Sequence, residues 1–205
     1  MSYHELPMGR MARDGRMRLT HGPIDLVITA EGPAEAMRAA LRRAHETFET
    51  VLPALCEELP RLRAATGPAL RGPVARRMQR ATDRFAPAFV TPMAAVAGSV
   101  ADHVLAAMLA PGHGLARAHV NNGGDIALWT GAAPLRLAVC EDPVTRAPGA
   151  RAEIGPDDGI GGIATSGWRG RSHSLGIADA VTVLAPDAAT ADAAATLIAN
   201  AVDLP

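Results

Sequence analysis

The stretch "DAATADAAATLIANAV" (Asp187–Val202) constrains the chain more than any other. It reads as a final helix opening at Asp187, with sides made almost wholly of alanine and small aliphatics. Such a helix gains burial only by lying close to its neighbours, since each methyl removes little area from water. The whole chain shares this character. Of its 205 residues 48% are hydrophobic but only 3% aromatic, so the core is expected to be built from small aliphatics.

The other elements follow from periodicity. "PIDLVITA" (23–30) is β-branched and apolar, as a strand is. From Pro33, Met37, Leu41, His45, Phe48 and Val51 recur at three- and four-residue steps, which predicts a helix. Pro53 and Pro60 are expected to punctuate a second helical piece, "ALCEEL". The Arg/Pro/Gly-rich region 61–90 reads as the least regular part, a linker or mobile segment. "TPMAAVAGSVADHVLAAML" (91–109) predicts a lean helix, with Thr91 as N-cap and Pro92 in the first turn. "ARAHV", "IALWT" and "LRLAVC" predict an antiparallel meander. An acidic, Pro-rich loop then leads to "GIGGIATSG" and the strand "DAVTVLA". The fold class expected is α+β: one domain spanning 1–205, with an antiparallel or mixed sheet covered by long helices.

Bulk properties exclude several classes. A formal net charge of −1 gives no broad attraction to nucleic acid or to an anionic membrane. No apolar run reaches spanning length, and the first residues lack the apolar core of a signal peptide, so a cytoplasmic location is expected. Cys56 and Cys140 form no CxxC pair and read as reduced and structural. Walker, G-x-S-x-G and Rossmann patterns are absent.

Polar groups converge in three places. On the last helix Asp192, Thr196 and Asn200 fall at i, i+4 and i+8. A carboxylate and a hydroxyl one turn apart form a half-shell for a hard cation such as Mg²⁺, or else a stripe facing water. In "GGIATSGWRGRSH" (161–173), Thr165, Ser166 and Gly167 offer hydroxyls and amides at a turn, a nest for an anion. Ser172 and His173 follow, and a histidine there can take a proton near neutral pH. An ordinary Gly/Ser loop fits the same letters. In "HVNNGGDIALW", Asn121, Asn122 and Asp125 surround Gly123 and Gly124, either as a ligand bend or as a turn bonding itself.

Other signals are weaker. His103, His113 and His119 lack metal spacing. Arg76, Arg77 and Arg80 read as a solvated helical face. Trp129 and Trp168 flank two polar clusters and serve either core packing or stacking on a planar ring.

Taken in order, "PMAAVAGSVADHVL", "VNNGGDIALW", "GIATSGWRGRSH" and "DAVTVLAPDAATADAAATLIANAV" resemble the ApbE superfamily of FAD:protein FMN transferases, and most closely its short ApbE-like branch. The resemblance implies an ApbE-like fold and a Mg²⁺ ion bridging the pyrophosphate of FAD. Its metal motif, like "aDalaT", matches Asp192 and Thr196, with a main-chain carbonyl from Ala95 to Ala97 completing the site. The family's Ser-His pair matches Ser172 and His173, and that histidine is held to activate the acceptor hydroxyl. Gly123, Gly124 and Asp125, with Ala164 to Gly167, match the segments that shape the flavin pocket. Asp102 matches the aspartate ending a "KGyavD" pattern, whose lysine position is Ala97. The "DPrTG" loop that follows the Ser-His pair in the transferases has no counterpart.

The function expected is metal-dependent binding of a flavin nucleotide (FAD or FMN), with FMN transfer from FAD to an acceptor protein or hydrolysis of the FAD pyrophosphate. Two rivals stand beside it: a non-catalytic module for a small anion or nucleotide, and a homo-oligomeric scaffold with a relic site.

Overall fold

A computed structural model of the chain describes residues 6–140, 148–169 and 174–204. Strands β1 (Met8–Met11), β2 (Met17–His21), β3 (Ile24–Glu31), β4 (Arg117–Asn122), β5 (Asp125–Thr130), β8 (Gly162–Ser166) and β9 (Val181–Ala185) form one seven-stranded sheet in the order 1-2-3-4-5-8-9. Every pairing in it is antiparallel. β6 (Leu135–Cys140) and β7 (Pro148–Ile154) make a separate two-stranded ribbon. The expected three-strand meander is therefore corrected. β6 leaves the main sheet, and β5 pairs with β8 instead through Ile126–Ile163 and Ala127–Gly162. Leu135 and Ile154 bury a small cluster with Leu128 and Ile163 there, which a strand read one at a time does not reveal.

Helix α1 (Ala34–Glu57) runs straight through Pro53, against the break expected. Proline removes one intrahelical bond, but Val51, Leu52 and Leu55 on either side of it are buried, and that burial carries the helix onward. The short α2 (Leu59–Leu62) follows at once. The segment expected to be irregular holds α3 (Pro73–Asp83), with Pro73 in its first turn and Val74, Ala75, Met78, Ala81 and Thr82 buried along one face. Arg76 and Arg80 are exposed as expected, but Arg77 is half-buried and ion-pairs with Asp102 at 3.8 Å. A 3₁₀ turn (Pro92–Ala95) leads into α4 (Val96–Met108), and Thr91 makes no side-chain cap there.

The last helix, α5 (Ala188–Ala201), is capped by Asp187, whose carboxylate accepts from the Thr190 amide at 2.7 Å. It packs against α4, β8 and β9. The small side chains permit a very close approach. A Cβ added to Gly98 on α4 would lie 2.1 Å from the carbonyl oxygen of Ala188, and one added to Gly162 on β8 would lie 2.1 Å from the Ala188 nitrogen. The main core lies between the sheet and helices α1, α3 and α4, with Phe48, Leu26, Ile28, Met78, Val100 and Met108 among its buried members. Among the described residues no helix is long and apolar enough to cross a membrane.

Candidate functional site

The Asn-Asn-Gly-Gly-Asp bend is the turn between β4 and β5, closed by the Asn122–Asp125 pair. Gly123 and Gly124 take φ of 69° and 121°, as the tight two-residue turn demands. The two asparagines then part company. Asn121 bonds the turn itself, its Oδ1 accepting from the Gly124 amide at 2.9 Å. Asn122 is buried and reaches across to α4, where its Nδ2 donates to the carbonyl of Ala97 at 3.1 Å. This bond fixes the hairpin tip against the first turn of α4.

The α4–α5 contact is made by two aspartates. Asp192, on α5, accepts from the Gly98 amide at 3.0 Å and also from that of Ala97. Asp102, on α4, accepts from the amides of Ala188 and Ala189 at 3.1 and 2.9 Å. These amides belong to the opening turns of the two helices, where backbone N–H groups have no intrahelical partner. Each carboxyl thus satisfies donors that would otherwise be orphaned.

A cavity of about 1050 Å³ opens beside this contact. One part of its wall is polar and comes from the bend, β8 and α5: Asn122, Gly123, Asp125, Thr165, Asp192 and Thr196. The rest is mainly aliphatic and comes from β3, α1, α2 and the start of α4, with Ile24, Leu52, Leu55, Met93, Val96 and Val100. Arg63 and Cys56 also line it.

The acidic corner is electrostatically unbalanced. Burial pushes the Asp125 carboxyl up to about 7, against one main-chain bond from Thr165 that favours its charge. Asp192 lies well above the usual carboxylate range, first through burial and then through the neighbouring charge of Asp125. Among the described residues neither carboxyl has an ion-pair partner. Two close carboxyls that disfavour each other's ionisation form a place where a cation gains. Their oxygens, with the Thr196 hydroxyl, are the hard donors that Mg²⁺ prefers. Among the described residues no three His, Cys, Asp or Glu side chains gather into a protein cage for a metal.

The sequence candidates separate accordingly. Asn122, Gly123, Asp125, Thr165, Asp192 and Thr196 line the one cavity, whereas Gly124, Ser166 and Gly167 do not. The Ser166 hydroxyl lies 3.1 Å from that of Ser174. Gly167 is needed for packing, since a Cβ there would sit 2.2 Å from the Asp179 carbonyl oxygen. Thr165 lines the cavity, and its hydroxyl pairs with that of Thr182 at 2.9 Å. Asn200 leaves the expected stripe, its Oδ1 accepting from the Leu175 amide at 2.8 Å. Ser172 and His173 lie outside the described residues. Neither tryptophan lines the cavity. Trp129 packs edge-on to His113, and Trp168 is half-exposed, donating to Asp179 at 3.0 Å with Arg169 over its ring. Sequence reasoning missed Arg63 and Cys56 as wall residues, because only the folding of α1 and α2 over the sheet brings them there.

The model of a family described as "AbpE bacteria" matches residues 9–205. Among curated proteins, a UPF0280 protein of Methanothrix thermoacetophila is 41% identical over 133 residues, covering 63% of this chain and 52% of that protein. A UPF0280 protein of Methanosarcina acetivorans is 34% identical over 193 residues, covering 87% of this chain and 69% of that protein. One of Archaeoglobus fulgidus is 39% identical over 119 residues, covering 55% and 45% respectively. Apart from the fuller match, the chain spans about half the length of these curated relatives.

Proposed function

The chain belongs to the family described as AbpE bacteria, and from that premise and its cavity we propose a protein that binds a flavin nucleotide through a divalent metal. One observation carries the metal part. Asp125 and Asp192 face one cavity, disfavour each other's charge, and have no ion-pair partner among the described residues. A divalent cation held by Asp192 and Thr196, with Asp125 beside them, reverses that penalty. The flavin part rests on the resemblance of four ordered segments to the ApbE superfamily. The aliphatic wall supports it by offering a dry surface to a ligand's ring.

When bound, Mg²⁺ supplies charge neutralisation for the pyrophosphate of FAD. The remaining work falls to the chain's own groups. Asn122 holds the hairpin tip against Ala97, keeping Asp125 beside α5. The amides of Ala97 and Gly98 fix the Asp192 carboxyl. In the proposed reaction a hydroxyl oxygen, from an acceptor side chain or from water, forms a bond to the phosphorus of the FMN half. The bond from that phosphorus to the bridging oxygen breaks, AMP leaves, and His173 takes the hydroxyl proton. The role of His173 rests on the Ser172-His173 motif alone.

The test is a thermal-shift series with FAD, with and without Mg²⁺, alongside chromatography for FMN and AMP. A Mg²⁺-dependent shift that Asp192→Ala abolishes, with AMP accumulating, supports a transferase or pyrophosphatase. A shift without turnover reduces the reading to a binding module. No shift with either flavin nucleotide overturns it. His173→Ala should stop AMP release and spare binding; equal loss of both removes the base assignment.

A further inference from the structure

Arg63 is the one cationic side chain lining the cavity among the described residues. It follows α2 directly and is exposed. The arginine two positions earlier is spoken for, since Arg61 donates to the carbonyls of Pro68 and Ala64 at 2.8 and 2.7 Å. Arg77 is likewise engaged, ion-pairing with Asp102. Arg63 has no such partner among the described residues.

The cavity lining thus offers three kinds of group. Its acidic corner suits a metal-held phosphate. Its aliphatic stretch, through Leu52, Leu55, Met93 and Val96, suits an apolar body, and a free guanidinium sits in the α2 wall. A guanidinium presents several N–H donors in a planar fork and no acceptor, so what it recognises is an anionic or acceptor-rich edge in the plane of that fork. An isoalloxazine ring has such an edge, with carbonyl oxygens and a ring nitrogen on its pyrimidine side. We propose that Arg63 is the specificity residue of this cavity: it donates to the pyrimidine edge of a flavin ring laid along the aliphatic wall, while the same ligand's phosphates occupy the metal corner. The proposal rests on the flavin-nucleotide reading above and adds to it the residue that tells a flavin from another nucleotide. No aromatic side chain lines the cavity among the described residues, so recognition of the ring falls to this edge rather than to stacking.

The experiment compares FAD with ADP-ribose, which keeps the pyrophosphate and adenosine but has no flavin ring. Both are titrated calorimetrically with Mg²⁺ present, against wild type, Arg63→Gln and Arg63→Lys. The expected result is a loss of FAD affinity in Arg63→Gln that exceeds any loss for ADP-ribose by about tenfold or more. Arg63→Lys should recover only part of it, because the planar fork is gone. The flavin absorption band, perturbed on binding to wild type, should return toward its free position in Arg63→Gln. Equal losses for both ligands, or an unchanged FAD affinity, overturn the proposal. If wild type binds ADP-ribose as tightly as FAD, the metal corner stands and the flavin role of Arg63 falls. If wild type binds neither with Mg²⁺, the functional reading falls and takes this one with it. Arg63 is exposed, so Arg63→Gln should melt with wild type; a melting temperature matching wild type ties the affinity change to the ligand contact.

Discussion

Asp102 and Asp192 cap each other's helices. Asp102 rides on α4 and satisfies the first amides of α5, while Asp192 rides on α5 and satisfies the first amides of α4. Side-chain caps of this kind contribute about 1 kcal/mol each, and a carboxylate there also meets the positive end of the helix dipole. The two caps differ in exposure. Asp102 is buried beneath Arg77, and Asp192 opens onto the cavity. One exchange of caps thus ties a carboxyl that faces the cavity to one that is buried in the helix contact.

Neutralising the acidic corner should separate stability from ligand response. Asp125→Asn and Asp192→Asn each remove one of two mutually repelling carboxyls and keep an oxygen for the Thr165 or Gly98 amide. Metal-free protein at pH 8 is expected to gain about 1 kcal/mol from either change. The Mg²⁺-dependent shift should vanish in both. Urea melts with and without Mg²⁺ check this; a destabilised variant that still responds to Mg²⁺ would contradict it.

Gly98→Ala should be costly although it adds one methyl. Its Cβ would meet the Ala188 carbonyl oxygen at 2.1 Å, so α4 and α5 must separate. A loss of about 1–3 kcal/mol is expected, together with weaker Mg²⁺ binding because the Gly98–Asp192 bond lies in the same contact. A variant as stable as wild type would show that the helices lie further apart than described.

Asp102 gives the fold a pH dependence of definite sign. Burial outweighs its two amides and Arg77, raising its pKa from 3.8 to about 6. The native state therefore holds this proton more tightly than the unfolded chain. The stabilisation is complete below about pH 4 and is lost as pH rises through about 6, a change on the order of 3 kcal/mol. Asp102→Asn should flatten that component. Melts at pH 4.5, 5.5, 6.5 and 7.5 (roughly spanning the window) test it, with parallel wild-type and variant curves as the failing result.

Asn122→Ala removes the side-chain bond to the Ala97 carbonyl and frees the hairpin tip. An expected cost of about 1–2 kcal/mol follows from the lost buried hydrogen bond. FAD affinity should fall further than this stability loss explains, while Asn121→Ala, which loses only a bond within the turn, should leave affinity near wild type. Similar affinity losses in the two variants would refute the distinction.

Local signals were sufficient wherever periodicity was strong. The β-branched run of β3, the spacing of Met37 to Val51 in α1 and the Asp187 opening of α5 each declared an element. The helical face of α3 was hidden by the arginines between its apolar residues, although Pro73 and the spacing of Val74, Met78 and Ala81 carry it. β7 could not be read because its small and charged residues gain strand character only through pairing with β6. At the site, the Asp192–Thr196 step and the bend were legible because each chemistry is local. The opposing wall was not, since Leu55 and Arg63 reach it only through tertiary packing.

Gly98 and Gly162 press on Ala188 from two sides, one from a helix and one from a strand. The start of α5 is thereby clamped by missing side chains rather than by large ones. Over evolutionary drift such a clamp leaves a fingerprint unlike that of an ordinary core: volume can be neither added nor traded, so these two positions should tolerate almost no replacement while bulkier neighbours exchange freely. Asp192 lies one helical turn further along, so the geometry of the acidic corner is guarded from behind, by residues that never meet a ligand.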